Sequence, residues 1–287
     1  MEYFNDTLRI YRIRIGHDHP RLAEIISHMG NIYVEQGDLD SALEHFKEAL
    51  SILRRKLGED ASECGHVLLK IGGVYDSRKK YDDSFSCYSE AVNIFTQTLQ
   101  SDDLSLALAL NNLGINVARQ DDYEQAMTLL GRSLSIRKKK LGNDHLEVAD
   151  ALYNIGNIVD DWGKDDQALR FYEEALSLYR KNLGDDDVEV ANCLQYIGSI
   201  LLKRNKPMEA LSKFTEALRI FRLKYGDNNL DVGTILFSIG RIYGKKADYA
   251  NSLKFFQESL RIRKECGASE QDISTTKRFV DAFMKKN

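Results

Sequence analysis

Leu106, Leu110, Leu113 and Val117 recur at spacings of four, three and four, the pattern of one buried face of an α-helix. A second face follows through Ala126, Leu130, Leu134 and Ile136, and the polar run Arg119-Gln120-Asp121-Asp122 separates the two. From residue 58 to residue 142 the chain therefore predicts helix, short turn, helix and loop, twice over. Gln36-Gly37-Asp38 and Trp162-Gly163-Lys164 mark equivalent turns elsewhere. The second helices close on steps such as Leu57-Gly58, Leu141-Gly142, Leu183-Gly184 and Tyr225-Gly226, where glycine is expected in the left-handed conformation past a helix end. Gln100 replaces that glycine once, so its loop is expected to close differently.

The pattern has a period. Gly30, Gly72, Gly114, Gly156, Gly198 and Gly240 stand 42 residues apart, each after an apolar residue. Twelve positions later comes a small residue (Ala42, Ser84, Ala126, Ala168, Ala210, Ser252), then a bulky one four further on (Phe46, Tyr88, Leu130, Tyr172, Phe214, Phe256). Another small residue follows three beyond (Ala49, Ala91, Ser133, Ala175, Ala217, Ser259). A fixed period of this length is the mark of stacked repeats, each needing its neighbours to bury its second face. Glycine inside a helix costs about 1 kcal/mol relative to alanine. Its return in six helices predicts a close approach of the partner helix backbone there, with the bulky column filling the space beside it.

The fold predicted is all-α, a right-handed α-α superhelical solenoid of helical hairpins forming one domain over residues 1–287. Six full repeats span 17–267. A half-repeat helix over 1–16 and a capping helix over 268–287 close the ends. The 43% hydrophobic content and two prolines suit such a helical stack, and the formal charge of −4 gives no long-range attraction to nucleic acid or an anionic membrane. No apolar stretch is long enough to span a bilayer, and no signal-type segment is seen, which points to the cytoplasm. Cys64 and Cys193 share columns with Leu, Val and Ile, no CxxC occurs, and four free thiols are expected.

The chemistry of enzymes is missing from the pattern. There is no phosphate-cradling glycine loop and no GxSxG, and His17-x-His19 has no partners at metal-site spacing, so neither catalysis nor a metal or other cofactor is expected. Asp121-Asp122 and Asp165-Asp166 precede second helices and read as caps, while His145 reads as part of a recurrent loop. The basic clusters Arg54-Arg55-Lys56, Arg137-Lys138-Lys139-Lys140 and Arg261-Ile262-Arg263-Lys264 lie at helix C-termini, where they complement the helix dipole and face acids of the following loop. Nucleic-acid binding is not expected.

The glycine, small, bulky and small columns resemble the tetratricopeptide repeat, whose usual unit is 34 residues. The longer unit here, with loops such as Leu141-Gly142-Asn143-Asp144-His145 and the step Leu110-Asn111-Asn112-Leu113-Gly114, is similar to the repeats of kinesin light chains. The resemblance covers essentially the whole chain. It implies that first helices line a concave groove for extended or short helical peptides, and hence a protein or peptide partner. Three variable columns lie on that side: Ser27, Leu69, Asn111, Tyr153, Gln195 and Phe237; His28, Lys70, Asn112, Asn154, Tyr196 and Ser238; Asn31, Gly73, Ile115, Asn157, Ser199 and Arg241.

Within them Asn111, Asn112, Asn154, Asn157 and Asn192 concentrate carboxamides, which offer donors and an acceptor to a peptide backbone whatever its side chains. Tyr153, Tyr196 and Phe237 add aromatic faces, with Arg241 beside them. The expected function is a non-enzymatic scaffold or adaptor holding a peptide in this groove. The alternative is a structural subunit of a larger complex or a homo-oligomer, working through its outer face or end helices. Trp162 occupies a column otherwise held by Gln36, Arg78, Gln120, Arg204 and Lys246, amid Asp160, Asp161, Asp165 and Asp166. It reads either as a surface anchor for a basic, apolar segment or as cover for the adjacent loop.

Overall fold

The structure, a computed structural model, describes residues 11, 13, 14, 16 and 18–285. Most of the half-repeat expected over 1–16 lies outside the described residues, as does His17. The described residues form thirteen helices and no strand. The chain divides into two compact units, residues 1–143 and 144–287.

In the N-terminal unit α1 (Pro20–Glu35) packs on α2 (Leu39–Leu57), α3 (Ser62–Ser77) on α4 (Tyr81–Thr98), and α5 (Leu104–Ala118) on α6 (Tyr123–Leu141). Successive hairpins meet through α2 with α3 and α4 with α5. In the C-terminal unit the pairs are α7 (Leu146–Asp161) with α8 (Asp165–Leu183), α9 (Val188–Lys203) with α10 (Pro207–Tyr225), and α11 (Leu230–Lys245) with α12 (Tyr249–Glu265). A final helix, α13 (Glu270–Met284), packs on α12, where the capping helix is expected. The six full second helices are 17 to 19 residues long against 15 or 16 for the first helices, so they take up part of the added length of each unit.

The glycine column works differently from the expected backbone approach. A methyl group on Gly156 would lie 2.8 Å from the Tyr172 ring, on Gly198 2.9 Å from Phe214, and on Gly240 2.8 Å from Phe256. It is the bulky column itself that occupies the missing side chain's space. At Gly114, opposite the smaller Leu130, partner backbone also comes close, with the Ala126 carbonyl oxygen at 3.3 Å. Each ring seats over its own glycine, and the flanking small columns (Ala42, Ala49, Ala168, Ala175) are fully buried beside it.

Loop geometry corrects a second expectation. Gly58, Gly142, Gly184 and Gly226 have φ of 79° to 97°, but ψ is 163°, 160°, 170° and −176°, an extended region open to glycine rather than the left-handed helical one. Where Gln100 replaces the glycine, α4 ends at Thr98 and Leu99 turns extended, as the substitution predicts. Helix entry is set by side-chain caps: His145 Nδ1 accepts from the Glu147 amide at 3.2 Å and Asp122 accepts from Gln125 at 3.1 Å. Asp165 and Asp166 do not cap. They lie in the first turn of α8 and instead pair with the next hairpin, Asp165 with Lys203 at 3.4 Å and Asp166 with Arg204.

Candidate functional site

The variable first-helix columns are the candidate site, and each unit treats them differently. In the N-terminal unit the first column is not exposed: Ser27 is 5% exposed, Leu69 8% and Asn111 6%. These side chains sit between neighbouring helices rather than on an open face. Asn111 Nδ2 donates to Asn112 Oδ1 at 3.4 Å, while its own Oδ1 is buried and has no hydrogen-bond partner. A buried amide oxygen left unpaired costs about 1–3 kcal/mol. Asn112 is half-buried.

The same unit holds a polar network that the column analysis missed. Asn116 is fully buried where the corresponding positions carry Ile32, Val74, Ile158, Ile200 and Ile242. Its Nδ2 donates to Ser84 Oγ at 2.6 Å and the Tyr81 carbonyl at 3.1 Å. Ser84 donates to Asp76 at 2.7 Å, the Tyr88 hydroxyl donates to the same carboxylate at 3.2 Å, and Arg119 pairs with it at 3.0 Å. Burial, followed by the Asp76 charge, pushes the Tyr88 hydroxyl well above its ordinary range. The break in an otherwise apolar column was the available signal.

In the C-terminal unit Tyr153 is half-buried and packs edge-on against Tyr172 (5.8 Å), Tyr179 (6.4 Å) and Tyr196 (5.8 Å). Tyr172 and Tyr196 stack at 5.2 Å with a 13° tilt. Desolvation in this cluster raises the hydroxyls of Tyr153, Tyr172 and Tyr179, reinforced at Tyr153 by Tyr196, at Tyr172 by Asp160 and at Tyr179 by its bond to Asp150. All stay neutral donors at physiological pH. Asn157 is committed inside the unit, its Oδ1 accepting from the Tyr172 hydroxyl at 2.7 Å. Asn192 donates to Glu189 at 3.2 Å. Asn154 and Tyr196 are half-buried on the first-helix side, and Arg241 is exposed.

Phe237 is not an open aromatic face. Its ring meets Phe256 at 5.3 Å and Phe279 of the last helix at 5.1 Å, with the Arg263 guanidinium 5.0 Å from its centroid. Trp162, the C-cap of α7, is half-buried with Lys164 Nζ 3.1 Å from its ring centroid. Its column is a contact position as well as a surface one: Arg78 reaches back to Asp40 at 2.6 Å, and Arg204 to Asp166. The acids around Trp162 are engaged too, Asp160 with Lys203 at 2.6 Å.

Arginines near the C-termini of the second helices are built into the stack. Arg180 pairs with Asp185 in its own loop (3.2 Å) and Glu216 on the next second helix (2.5 Å), and Arg222 does so with Asp227 (2.8 Å) and Glu258 (2.7 Å). Arg54 bridges Glu59 and Glu90 in the same way. Among the described residues no group of three or more His, Cys, Asp or Glu side chains is placed to hold a metal ion, and no helix is long and apolar enough to cross a membrane.

Among solved structures the chain is similar to BtubC (BKLC) from P. vanneervenii, at 17% identity over 81% of this chain and 93% of that one, with a TM-score of 0.67. It is similar to a kinesin light chain-like protein of Podosopora anserina with nearly identical TPR-like repeats (15% identity, 72% of this chain, 99% of that one, TM-score 0.63). A third is a Rap protein complexed with Competence and Sporulation Factor (15% identity, 92% and 76%, TM-score 0.61). At these identities the likeness is one of fold. No curated protein matches the sequence. The tetratricopeptide repeat model matches residues 2–55, 63–139, 107–181, 163–222 and 189–265, a repeat family rather than a catalytic one. With these matches across nearly its whole length, and glycine-seated rings in hairpin after hairpin, the chain belongs to the tetratricopeptide repeat family.

Proposed function

We propose that this protein is a non-enzymatic interaction scaffold that holds a peptide segment of a partner protein on its first-helix faces. One observation carries the reading. Asn112 and Asn154 bring half-buried carboxamides to the same first-helix column. Such groups offer donors and an acceptor to a partner's backbone whatever its side chains. Tyr153 and Tyr196 offer ring surface for an apolar side chain. A protein of similar fold, Rap, is seen complexed with Competence and Sporulation Factor, which supports the reading. The four cysteines are free thiols, in keeping with a place in the cytoplasm.

The test is capture of partners from source-organism lysate by the wild type and by Asn112→Ala/Asn154→Ala, after both show the same melting curve. Asn157 is left intact because Tyr172 leans on it. Partners retained by the wild type and lost from the variant are the expected result. Identical partners on both proteins would move function to the outer face and ends, where Met208 and Leu223 are 56% and 61% exposed. That outcome would favour the assembly-subunit reading.

A further inference from the structure

Between the first helices α1 and α3 the N-terminal unit carries a cavity of about 400 Å3. Leu53, Leu57 and Val67 make part of its wall, and Ser27 and Lys70 contribute polar groups alongside the exposed Arg21, His28 and His66. Lys70 is half-buried there, with its ammonium donating to Ser27 Oγ at 2.8 Å and lying 5.7 Å from the Phe46 centroid. Ser27 is buried and neutral. Glu24 and Glu63 also border the cavity, but both are exposed, and among the described residues no carboxylate comes within ion-pair distance of Lys70. Burial alone pushes its pKa below the ordinary value, with no opposing charge to raise it.

The contrast with Lys203 is direct. That ammonium is more exposed and has two carboxylates, Asp160 at 2.6 Å and Asp165 at 3.4 Å, which hold its pKa above the ordinary value. Arg54, Arg78 and Arg119 of the N-terminal unit are likewise paired with acids. Lys70 is a partly desolvated cation with a neutral acceptor and an aromatic ring, beside an apolar wall. Charge left uncompensated in a concave site is costly unless a ligand completes it.

We infer that this cavity takes an acidic side chain of the bound peptide, its carboxylate on Lys70 beside Ser27 and a neighbouring apolar residue against Leu53, Leu57 and Val67. The inference rests on the peptide-holding function and adds a specificity to it: an apolar residue next to Asp or Glu. Charge-assisted pairing of a carboxylate with a half-buried ammonium discriminates more strongly than a neutral hydrogen bond.

Random peptides displayed on phage are selected on the full chain, on Lys70→Met and on Lys70→Asn, the latter carrying the residue that Asn112 and Asn154 bring to the same column. Each variant is first melted beside the wild type, and Lys70→Met should melt no lower because it removes a desolvated charge. The expected result is enrichment of peptides with Asp or Glu beside an apolar residue, falling about tenfold or more on either folded variant. Enriched peptides without an acid, or acidic peptides held equally by the variants, overturn the Lys70 subsite and leave the peptide-holding function standing. No peptide enriched above an unrelated protein overturns both.

Discussion

The two units are built on the same columns but put their exceptions to different use. In the N-terminal unit the exceptions are polar and buried: Asn116, Ser84 and Asp76 tie two hairpins together, while Asn111 and Lys70 are left incompletely paired. In the C-terminal unit they are aromatic: Tyr153, Tyr172, Tyr179 and Tyr196 form one cluster, and Phe237, Phe256, Phe279 and Phe283 another under the last helix. The repeat frame fixes helix length and ring seating. Binding chemistry is free to vary only where that frame makes no demand.

Exchanging the exceptions tests this most severely. Ile200 is fully buried in the C-terminal unit, in the column where Asn116 sits. Ile200→Asn forfeits buried apolar area and leaves an unpaired amide, an expected loss of roughly 3–5 kcal/mol. The reverse change, Asn116→Ile, loses bonds to Ser84 and Tyr81 but gains apolar burial, and Ser84 keeps Asp76 as acceptor. Its cost should be about 1–2 kcal/mol. Denaturant melts of both variants decide the matter. Equal losses would mean that Asn116 is no better supported than an asparagine placed arbitrarily in the column.

A second pair of substitutions sharpens what the units share. Gly72 and Gly73 are adjacent in α3. A methyl group on Gly72 would meet the Tyr88 ring, whereas one on Gly73 finds nothing within 4 Å. Gly72→Ala should therefore destabilise by about 1–3 kcal/mol through overpacking. Gly73→Ala should stabilise by up to about 1 kcal/mol through helix propensity. Shifts of the same sign in thermal melting would show that backbone freedom, rather than the ring, is what the column requires.

The periodic part of the fold was legible because each repeat reports the same constraint: a ring over a glycine demands both residues at fixed spacing, and Phe46, Tyr172, Phe214 and Phe256 all obey. Position within the variable columns was not legible. Ser27, Leu69 and Asn111 look like a recognition surface because they differ, yet neighbouring helices bury all three. Asn157 looked like a free carboxamide, and its commitment depends on Tyr172, fifteen residues away across the hairpin. Phe237 needed the placement of the terminal helix before its ring could be seen as covered. Such facts depend on distances between elements, which no column prints. Asn116 is the converse case: a lone amide among isoleucines and a valine was visible, but its partners Ser84 and Asp76 lay in a different repeat.

The smallest effect expected lies in the hairpin turns, where the units use one geometry with unequal residues. Gly37 and Gly163 have φ of 78° there, and Lys79, Asp121, Asn205 and Ala247 occupy the same column at 57° to 64°. For a residue with a Cβ this region costs about 1–2 kcal/mol, eased for Asn and Asp by local hydrogen bonding. Alanine has no such compensation. Ala247→Gly should thus raise stability by a few tenths to about 1 kcal/mol, less the added freedom of the unfolded chain. Asn205→Gly should change it less, and Gly163→Ala should lower it by a comparable amount. Tm measurements on the three rank the column by backbone strain alone, since no neighbouring atom lies within 4 Å of a methyl group placed on Gly163. If Ala247→Gly fell below the wild type, the turn would be held by contacts of the alanine methyl rather than limited by its φ.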